Sequence, residues 1–181
     1  DLVEAQPTDA NVPVHLHLHE TAQEVQQSVD EHGQRPLARL DRLGLANDRL
    51  LALVQPNARK LNDALDVALD RHFDYFGLRT LYDRYLLRHP QRRQVIETPQ
   101  QFFMRIASGV SETVGDAIDL YNLFSTLEYL PSSPTLFNAG TQHEQLSSCF
   151  LLDSPADHLE SIYQRYTDVA LLSKFSGGIG L

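Results

Sequence analysis

The sequence predicts an α-helical domain followed by the beginning of an α/β domain. From residue 37 to about residue 130, leucines and aromatic residues recur every three to four positions, which is the spacing of one helix face. A cluster of helix-breaking residues, Pro131 to Pro134, ends this pattern. A short apolar run, another helical pattern and a glycine-rich segment follow, which is the order in which an α/β domain begins. We therefore divide the chain into segments 1–36, 37–130 and 131–181.

Residues 1–36 are predicted to be a flexible lead-in, because they are polar, contain prolines and lack a periodic apolar pattern. His15, His17 and His19 would lie on one face of an extended strand. No carboxylate or cysteine cluster accompanies them to complete a metal site. We therefore predict no metal site and interpret these histidines as part of a solvated strand or tail.

The first helical patterns are separated by residues that disfavour a helix. Apolar positions between 37 and 54 share one face. We expect Gly44 to interrupt this helical pattern and Pro56 to stop it. A second helix is predicted over residues 61–76 and is expected to end at Gly77. A third is predicted from residue 78 up to Pro90.

Two more helices precede the breaker cluster. Thr98, Pro99 and Gln101 form the pattern of a capping box with proline at the first helical position, and apolar residues follow as far as Val110. The next helix is predicted near residues 115–129. We expect it to bury four apolar side chains, namely Ile118, Tyr121, one of Leu123 and Phe124, and Leu127.

After Pro131 the pattern changes to that of an α/β domain. Residues 147–152 form a short strand-like run, and a helix is predicted after Pro155 with Asp157 near its start. The apolar face of that helix comprises Leu159, Ile162, Tyr163, Tyr166, Val169 and Ala170. Residues 173–181 are predicted to be a glycine-rich loop. Since one strand needs a sheet, we expect the chain to end inside its second domain and to be catalytically inactive by itself.

Composition limits the classes of function. The chain has 181 residues, with 15 Lys and Arg against 24 Asp and Glu, a formal charge of −9 and a pI near 5.2. This acidity argues against nucleic-acid and anionic-membrane partners, which require basic surfaces. The sequence contains no leader pattern and no long apolar run, so we predict a cytoplasmic protein. The single cysteine, Cys149, excludes an internal disulfide framework and a cysteine-rich zinc site.

Four features after residue 131 contain the candidate chemistry. They are the hydroxyls of Ser132 and Ser133, the Ser147-Ser148-Cys149 run, Asp157 at a helix start, and the final Gly-Gly-Ile-Gly segment. Glycines allow backbone to approach a ligand closely, as phosphate-binding loops require. Each feature alone is weak, because a lone cysteine in an apolar run is usually a core residue and Asp before a helix is usually a cap.

In combination and in this order, the features resemble a known family. The stretches PSSPTLFNAGTQHEQLSSCFLL and SKFSGGIGL are similar to the large catalytic subunit of ribonucleotide reductase. The stretches FDYFGLRTLYDRYLLR and IETPQQFFMRIASGV resemble the N-terminal helical domain of that family. The resemblance covers residues 61–181. Residues 1–60 show no match, including no match to the regulatory ATP-cone motif.

The resemblance implies specific roles for residues of the second domain. In the family a ten-stranded α/β barrel encloses the substrate, and this chain holds only its first part. Cys149 matches the first cysteine of the redox pair, whose partner lies outside this sequence. Ser133, Ser148 and Gly177, with Cys149, match substrate-binding positions. Asp157, with its neighbour His158, matches the binding site of the specificity effector.

The resemblance also implies partners and cofactors. The expected ligands are a ribonucleotide substrate and dNTP or ATP effectors. The expected protein partners are the remainder of the large subunit, a second copy in a homodimer, and a reductant of the thioredoxin or glutaredoxin type. The fragment itself is expected to bind no cofactor. Two radical sources stay open, a metal-containing small subunit and adenosylcobalamin, since the residues that distinguish them are outside this sequence.

Three functions are therefore compared. The preferred one is a fragment of a ribonucleotide reductase, an oxidoreductase that supplies DNA precursors. The second is a self-contained helical interaction module in which Cys149 is structural. The third is a thiol redox protein using Cys149 alone, but no Cys, His or Lys lies beside it in sequence to activate the thiol.

Overall fold

The computed structural model describes residues 40–174 and 177–180 of the chain. The predicted lead-in and its histidines lie outside the described residues. In the described part, helices predominate and two strands form one small sheet. The elements in chain order are α1 (Asp48–Ala64), a 3-10 helix (Val67–His72), α2 (Tyr75–Thr80), a π-helical turn (Leu81–Tyr85), α3 (Pro99–Val110), α4 (Val114–Ser125), α5 (Ser133–Asn138), β1 (Cys149–Leu151), α6 (Leu159–Lys174) and β2 (Gly178–Gly180).

Helix α3 is the centre of the core, and its predicted start is confirmed. Thr98 Oγ1 accepts from the Gln101 backbone N–H at 3.4 Å, and Gln101 Oε1 accepts from the Thr98 N–H at 3.0 Å. Nearly all of α3 is buried, because helices α1 and α4 both pack on it. The best-buried members of this core include Leu50, Leu61, Phe102, Phe103, Ile106, Ala107, Ala117 and Tyr121.

Pro56 does not stop the first helix, so that prediction is wrong. Helix α1 passes through Pro56 and continues to Ala64. Its start is fixed by Asn47, whose Oδ1 accepts from the Leu50 N–H at 2.8 Å. Proline costs a helix one backbone hydrogen bond. Leu50 and Leu61, on either side of Pro56, are both buried in the core, and this burial holds the helix together across the proline.

The two helices predicted over residues 61–90 do not have the predicted bounds, because this segment forms several shorter helical elements. Residues 67–72 form a 3-10 helix, and Gly77 lies inside α2, where its N–H donates to Asp74 Oδ1 at 2.6 Å. Asp74 therefore starts a new helix just where Gly77 was expected to end one. The helix expected to reach Pro90 ends at Tyr85, in a π-helical turn closed by the Leu86 N–H on the Leu81 carbonyl at 3.1 Å.

The helix predicted near residues 115–129 is present but shorter, over Val114–Ser125. It buries Tyr121 and Phe124, while Leu123 is 41% exposed. Of the two alternatives at that position, Phe124 is therefore the core residue.

Residues after Pro131 begin with a helix that the sequence did not predict. In α5, Leu136 is buried against the helical core, and Ala139 follows as another core residue. Gly140 then takes a φ of +74°, a conformation that favours glycine. The domain boundary near Pro131 stays a prediction.

The strand predicted within residues 147–152 is confirmed over Cys149–Leu151, and the helix after Pro155 is confirmed as α6. The glycine-rich segment was predicted to be a loop, and this is wrong for residues 178–180. They form β2, which pairs parallel with β1 in the register Cys149 to Gly178 and Leu151 to Gly180. Parallel strands need a crossover connection, and α6 supplies it.

The apolar face predicted for α6 is not buried within the described residues. Leu159, Tyr163 and Tyr166 are all exposed. Within residues 40–174 and 177–180, every helix is too short or too polar to cross a membrane. The same residues contain no group of three side chains able to hold a metal ion.

Candidate functional site

Cys149 opens strand β1 with its thiol exposed. The hydroxyl of Ser148 lies 3.8 Å from the Cys149 Sγ, close enough to donate a weak hydrogen bond to sulfur. On the partner strand, the N–H of Gly178 donates to the Ser148 carbonyl at 2.7 Å. A Cβ on Gly178 would lie 3.9 Å from the sulfur, so glycine leaves that side of the thiol open.

Gly177 lies directly before β2, beside the same pair of strands. A Cβ on it would meet the Phe150 ring at 2.9 Å and the Leu172 carbonyl at 3.0 Å. Close packing on β1 and α6 therefore requires glycine here. One β-α-β unit therefore contains Ser148, Cys149 and Gly177.

Ser133 lies elsewhere, on the first turn of α5, with its side chain exposed. Its Oγ is 3.1 Å from the Tyr85 hydroxyl. The Tyr85 ring also stacks on Phe137, with ring centroids 4.6 Å apart and planes 5° from parallel. Among the hydrogen bonds of the described residues, none joins Ser133 to the Cys149 group.

Asp157 and His158 lie in the turn before α6, and both are exposed. Ring nitrogen Nδ1 of His158 accepts from the Ser161 N–H at 3.3 Å, which places His158 as the cap of α6. Capping therefore does not account for Asp157, which lies one position too early. Its carboxylate is left facing solvent at the end of the β1–α6 connection.

A buried ion pair was missed by the sequence analysis. Arg105 Nε and Nη2 donate to the two carboxylate oxygens of Glu97 at 2.9 and 3.0 Å, and the side chains are 0% and 2% exposed. Arg105 Nη1 also donates to the Ala139 carbonyl at 2.7 Å, while Glu97 Oε1 accepts from the Leu87 N–H at 2.8 Å. One feature of the sequence could have predicted this ion pair, namely the single arginine within the apolar part of α3.

Asp70 and Tyr121, whose pKa values are shifted, belong to a second hydrogen-bond network, which joins the 3-10 helix, α3 and α4. Burial raises the pKa of Asp70, and a 2.7 Å hydrogen bond from Gln100 Nε2 lowers it by a smaller amount. Tyr121 donates to Gln100 Oε1 at 2.9 Å, and burial raises the pKa of this tyrosine. The network ties these three elements together.

Two segments of the chain match protein-family models, in the same order as the helical elements and the β-α-β unit. Residues 71–144 match the family described as "Ribonucleotide reductase, all-alpha domain", and residues 147–181 match "Ribonucleotide reductase, barrel domain". The chain belongs to the ribonucleotide reductase large-subunit family. The predicted fold class, a helical domain followed by the start of a barrel, is thereby confirmed.

Three relatives illustrate the similarity to reductase large subunits. Ribonucleoside-diphosphate reductase subunit alpha of Chlamydia trachomatis is 44% identical over 163 residues, covering 88% of this chain and 15% of the relative. The large subunit of Caenorhabditis elegans is 41% identical over 138 residues, covering 76% and 17%. Large chain 2 of Saccharomyces cerevisiae is 40% identical over 138 residues, covering 76% and 16%. The chain thus spans 15–17% of the length of these reductase subunits.

One expectation about the extent of the reductase resemblance was too narrow. Residues 61–181 make up about two thirds of the chain, whereas the first of these alignments covers 88% of it. Similarity to reductase large subunits therefore extends upstream of Leu61. The roles of Ser133, Ser148, Cys149, Gly177, Asp157 and His158 stay predictions.

Proposed function

We propose that this chain is part of a ribonucleoside-diphosphate reductase, which converts ribonucleotides to 2′-deoxyribonucleotides. This enzyme would be an oxidoreductase that acts on CH or CH₂ groups with a disulfide as acceptor. The observation that carries the proposal is the exposed thiol of Cys149 on β1, beside the Ser148 hydroxyl and opposite Gly178. This arrangement lies in the segment that matches the barrel domain.

The proposed chemistry balances through two thiols. Replacing the 2′-hydroxyl by hydrogen consumes two electrons and two protons and releases water. Two thiols supply both by closing to one disulfide. Cys149 would be one of them, with its partner in another part of the full-length subunit. An exposed thiol at the start of a strand is accessible to both substrate and a second cysteine.

Neutral donors suit the substrate phosphates. The chain carries a formal charge of −9, so phosphate binding here relies on hydroxyl and backbone N–H groups. The hydroxyls of Ser133 and Ser148 would provide such groups. The Gly177 N–H donates to the Leu172 carbonyl at 3.2 Å, so Gly177 would contribute through the close approach that a residue without a side chain allows. Asp157 would accept hydrogen bonds from the sugar of a dNTP effector, with His158 beside it, because its carboxylate is exposed and takes no part in capping α6.

The remaining assignments belong to the same proposal. The full-length subunit would act in the cytoplasm as a homodimer, regulated by dNTP or ATP and re-reduced by a thioredoxin- or glutaredoxin-type protein. Its radical source would be a metal-containing small subunit or adenosylcobalamin, held outside the residues of this chain.

The test is Cys149→Ser in the full-length subunit with its radical source. We expect multiple-turnover reduction to be lost and substrate affinity to be nearly unchanged, because serine keeps the shape but cannot form a disulfide. Ser147→Ala, two positions away on an equally exposed residue, is the matched control and should retain turnover. Normal turnover of Cys149→Ser with a dithiol reductant would reassign Cys149 to packing.

A further inference from the structure

We infer that Tyr85 is a positioning residue for the substrate phosphates, acting through Ser133. The inference rests on the proposed function, which places the Ser133 hydroxyl at the phosphate. Tyr85 lies 48 positions before Ser133 in the sequence and belongs to the helical part of the chain. In the fold its hydroxyl lies 3.1 Å from the Ser133 Oγ.

Tyr85 contacts α5 at two points on one face. Ser133 and Phe137 are four residues apart on α5, so their side chains lie next to each other. The Tyr85 ring stacks on Phe137 at 4.6 Å while its hydroxyl reaches Ser133. Stacking fixes the plane of the ring, and the fixed ring fixes where the hydroxyl points.

The hydrogen-bond inventory assigns a direction to the contact. A serine hydroxyl has one proton to donate and two lone pairs. If Ser133 is to donate its proton to an anionic phosphate oxygen, its Oγ must accept from Tyr85. The Tyr85 O–H then holds the exposed Ser133 hydroxyl in one rotamer and polarises it toward the phosphate. Without this neighbour, the Ser133 hydroxyl would rotate freely in solvent.

The backbone around Tyr85 is held rigidly to α5. Tyr85 ends a π-helical turn, and such turns often occur at functional sites. Two residues later, the Leu87 N–H donates to Glu97 at 2.8 Å. Glu97 is paired with Arg105, whose Nη1 donates to the Ala139 carbonyl at 2.7 Å, just after α5. The ion pair therefore joins the chain after Tyr85 to the C-terminal end of α5.

The experiment is a double-mutant cycle in the full-length reductase, with CDP as substrate. Tyr85→Phe keeps the stacked ring and removes the hydroxyl, and Ser133→Ala removes its partner. We expect Tyr85→Phe to raise KM about two- to tenfold with kcat nearly unchanged. The reason is that the contact between Ser133 and the phosphate is equally strong in the ground state and the transition state, so weakening it affects substrate binding and not the chemical step. The double variant should have the KM of Ser133→Ala alone, since Tyr85 acts only through Ser133.

Two further variants make the cycle specific. Tyr82→Phe removes the hydroxyl of an exposed tyrosine one helical turn earlier and should leave KM unchanged. Phe137→Leu removes the stacking partner but no hydroxyl, and should also raise KM. It keeps the inference testable if Tyr85→Phe folds poorly.

The outcomes separate the inference from the proposed function. If Ser133→Ala raises KM while Tyr85→Phe and Phe137→Leu do not, the positioning role is wrong and the substrate role of Ser133 stands. Additive effects of Tyr85→Phe and Ser133→Ala would likewise overturn the positioning role. If Ser133→Ala leaves KM unchanged, the assignment of Ser133 to the phosphates fails, and the inference fails with it.

Discussion

Cys149 and Gly178 are register partners in the parallel pair of strands, and a Cβ on Gly178 would lie 3.9 Å from the cysteine sulfur. The only thiol of the chain therefore faces a position that has no side chain. Since alternate residues of a strand share a face, the next residue of β2 on that side is Gly180, opposite Leu151.

Gly178→Val should slow the reaction of Cys149 with an aromatic disulfide reagent, because the new side chain covers one side of the sulfur. The rate can be followed by absorbance in this chain without interference, since it contains one cysteine. Gly180→Val adds the same bulk beside Leu151 and should leave the rate near that of the parent. A faster reaction in Gly178→Val would mean that the strands separate, contrary to this prediction.

Gly109→Ala should destabilise the helical domain by about 1–3 kcal/mol, because its Cβ would overpack a filled contact. That Cβ would lie 2.5 Å from the Gly140 backbone nitrogen and 2.9 Å from the Ala139 carbonyl carbon. Gly115→Ala is the matched control, since its Cβ would meet only Thr113 Oγ1 at 3.7 Å. Alanine there should stabilise α4 by about 0.5–1 kcal/mol. Urea unfolding measures both, and equal effects would contradict the packing argument.

Arg105→Met should cost about 3–5 kcal/mol, because it leaves the Glu97 carboxylate buried without its partner. The comparison is Arg79→Met, which breaks an exposed pair with Asp83 at 2.6 Å and should cost about 1 kcal/mol or less. The free energies of unfolding in urea at pH 7 provide the test. A small loss for Arg105→Met would show that water reaches Glu97 when the arginine is absent.

Asp70→Asn should increase the free energy of unfolding, relative to the parent chain, more at neutral pH than at acid pH. Burial raises the pKa of Asp70 in the folded state, so the folded state binds the proton more tightly than the unfolded state. The contribution of Asp70 to stability is thus fully present below the unfolded pKa of about 3.9 and is lost as pH rises through the folded pKa. Asparagine removes this loss, and its Oδ1 can still accept from Gln100.

The measurement for Asp70→Asn is the difference in unfolding free energy from the parent chain, at pH 7 and near pH 3. The control is Asp119→Asn, which makes the same chemical change at an exposed position. A difference for Asp70→Asn that grows toward acid pH would have the wrong sign.

Asp157→Asn should leave basal reduction by the full-length enzyme intact while reducing the change in substrate preference that each dNTP produces. Under the proposed function, effector binding at Asp157 and substrate choice would share a coupling free energy, which this variant would reduce. Because His158 caps α6, thermal stability should change little. Calorimetric effector affinity and product ratios test both parts, with the exposed Asp153→Asn, earlier in the same β1–α6 connection, as control. Full effector-dependent selectivity in Asp157→Asn would remove the regulatory role.

Local patterns in the sequence determined much of this protein. Thr98, Pro99 and Gln101 specify the start of α3 by themselves, because a capping box involves only neighbouring residues. The apolar run containing Cys149 predicted β1, and the motifs after Pro131 identified the family. These features depend on side chains within a few positions of each other, which a single sequence displays directly.

Tertiary structure decided the features that depend on distant residues. Pro56 remains inside α1 because Leu50 and Leu61 are buried on either side of it. The final glycines form a strand only because β1 offers its edge, which propensity does not predict. Tyr85 reaches Ser133 across 48 positions, and no local spacing signals that contact. Each of these outcomes is set by the packing of one element on another, where burial and long-range hydrogen bonds outweigh the preferences of neighbouring residues.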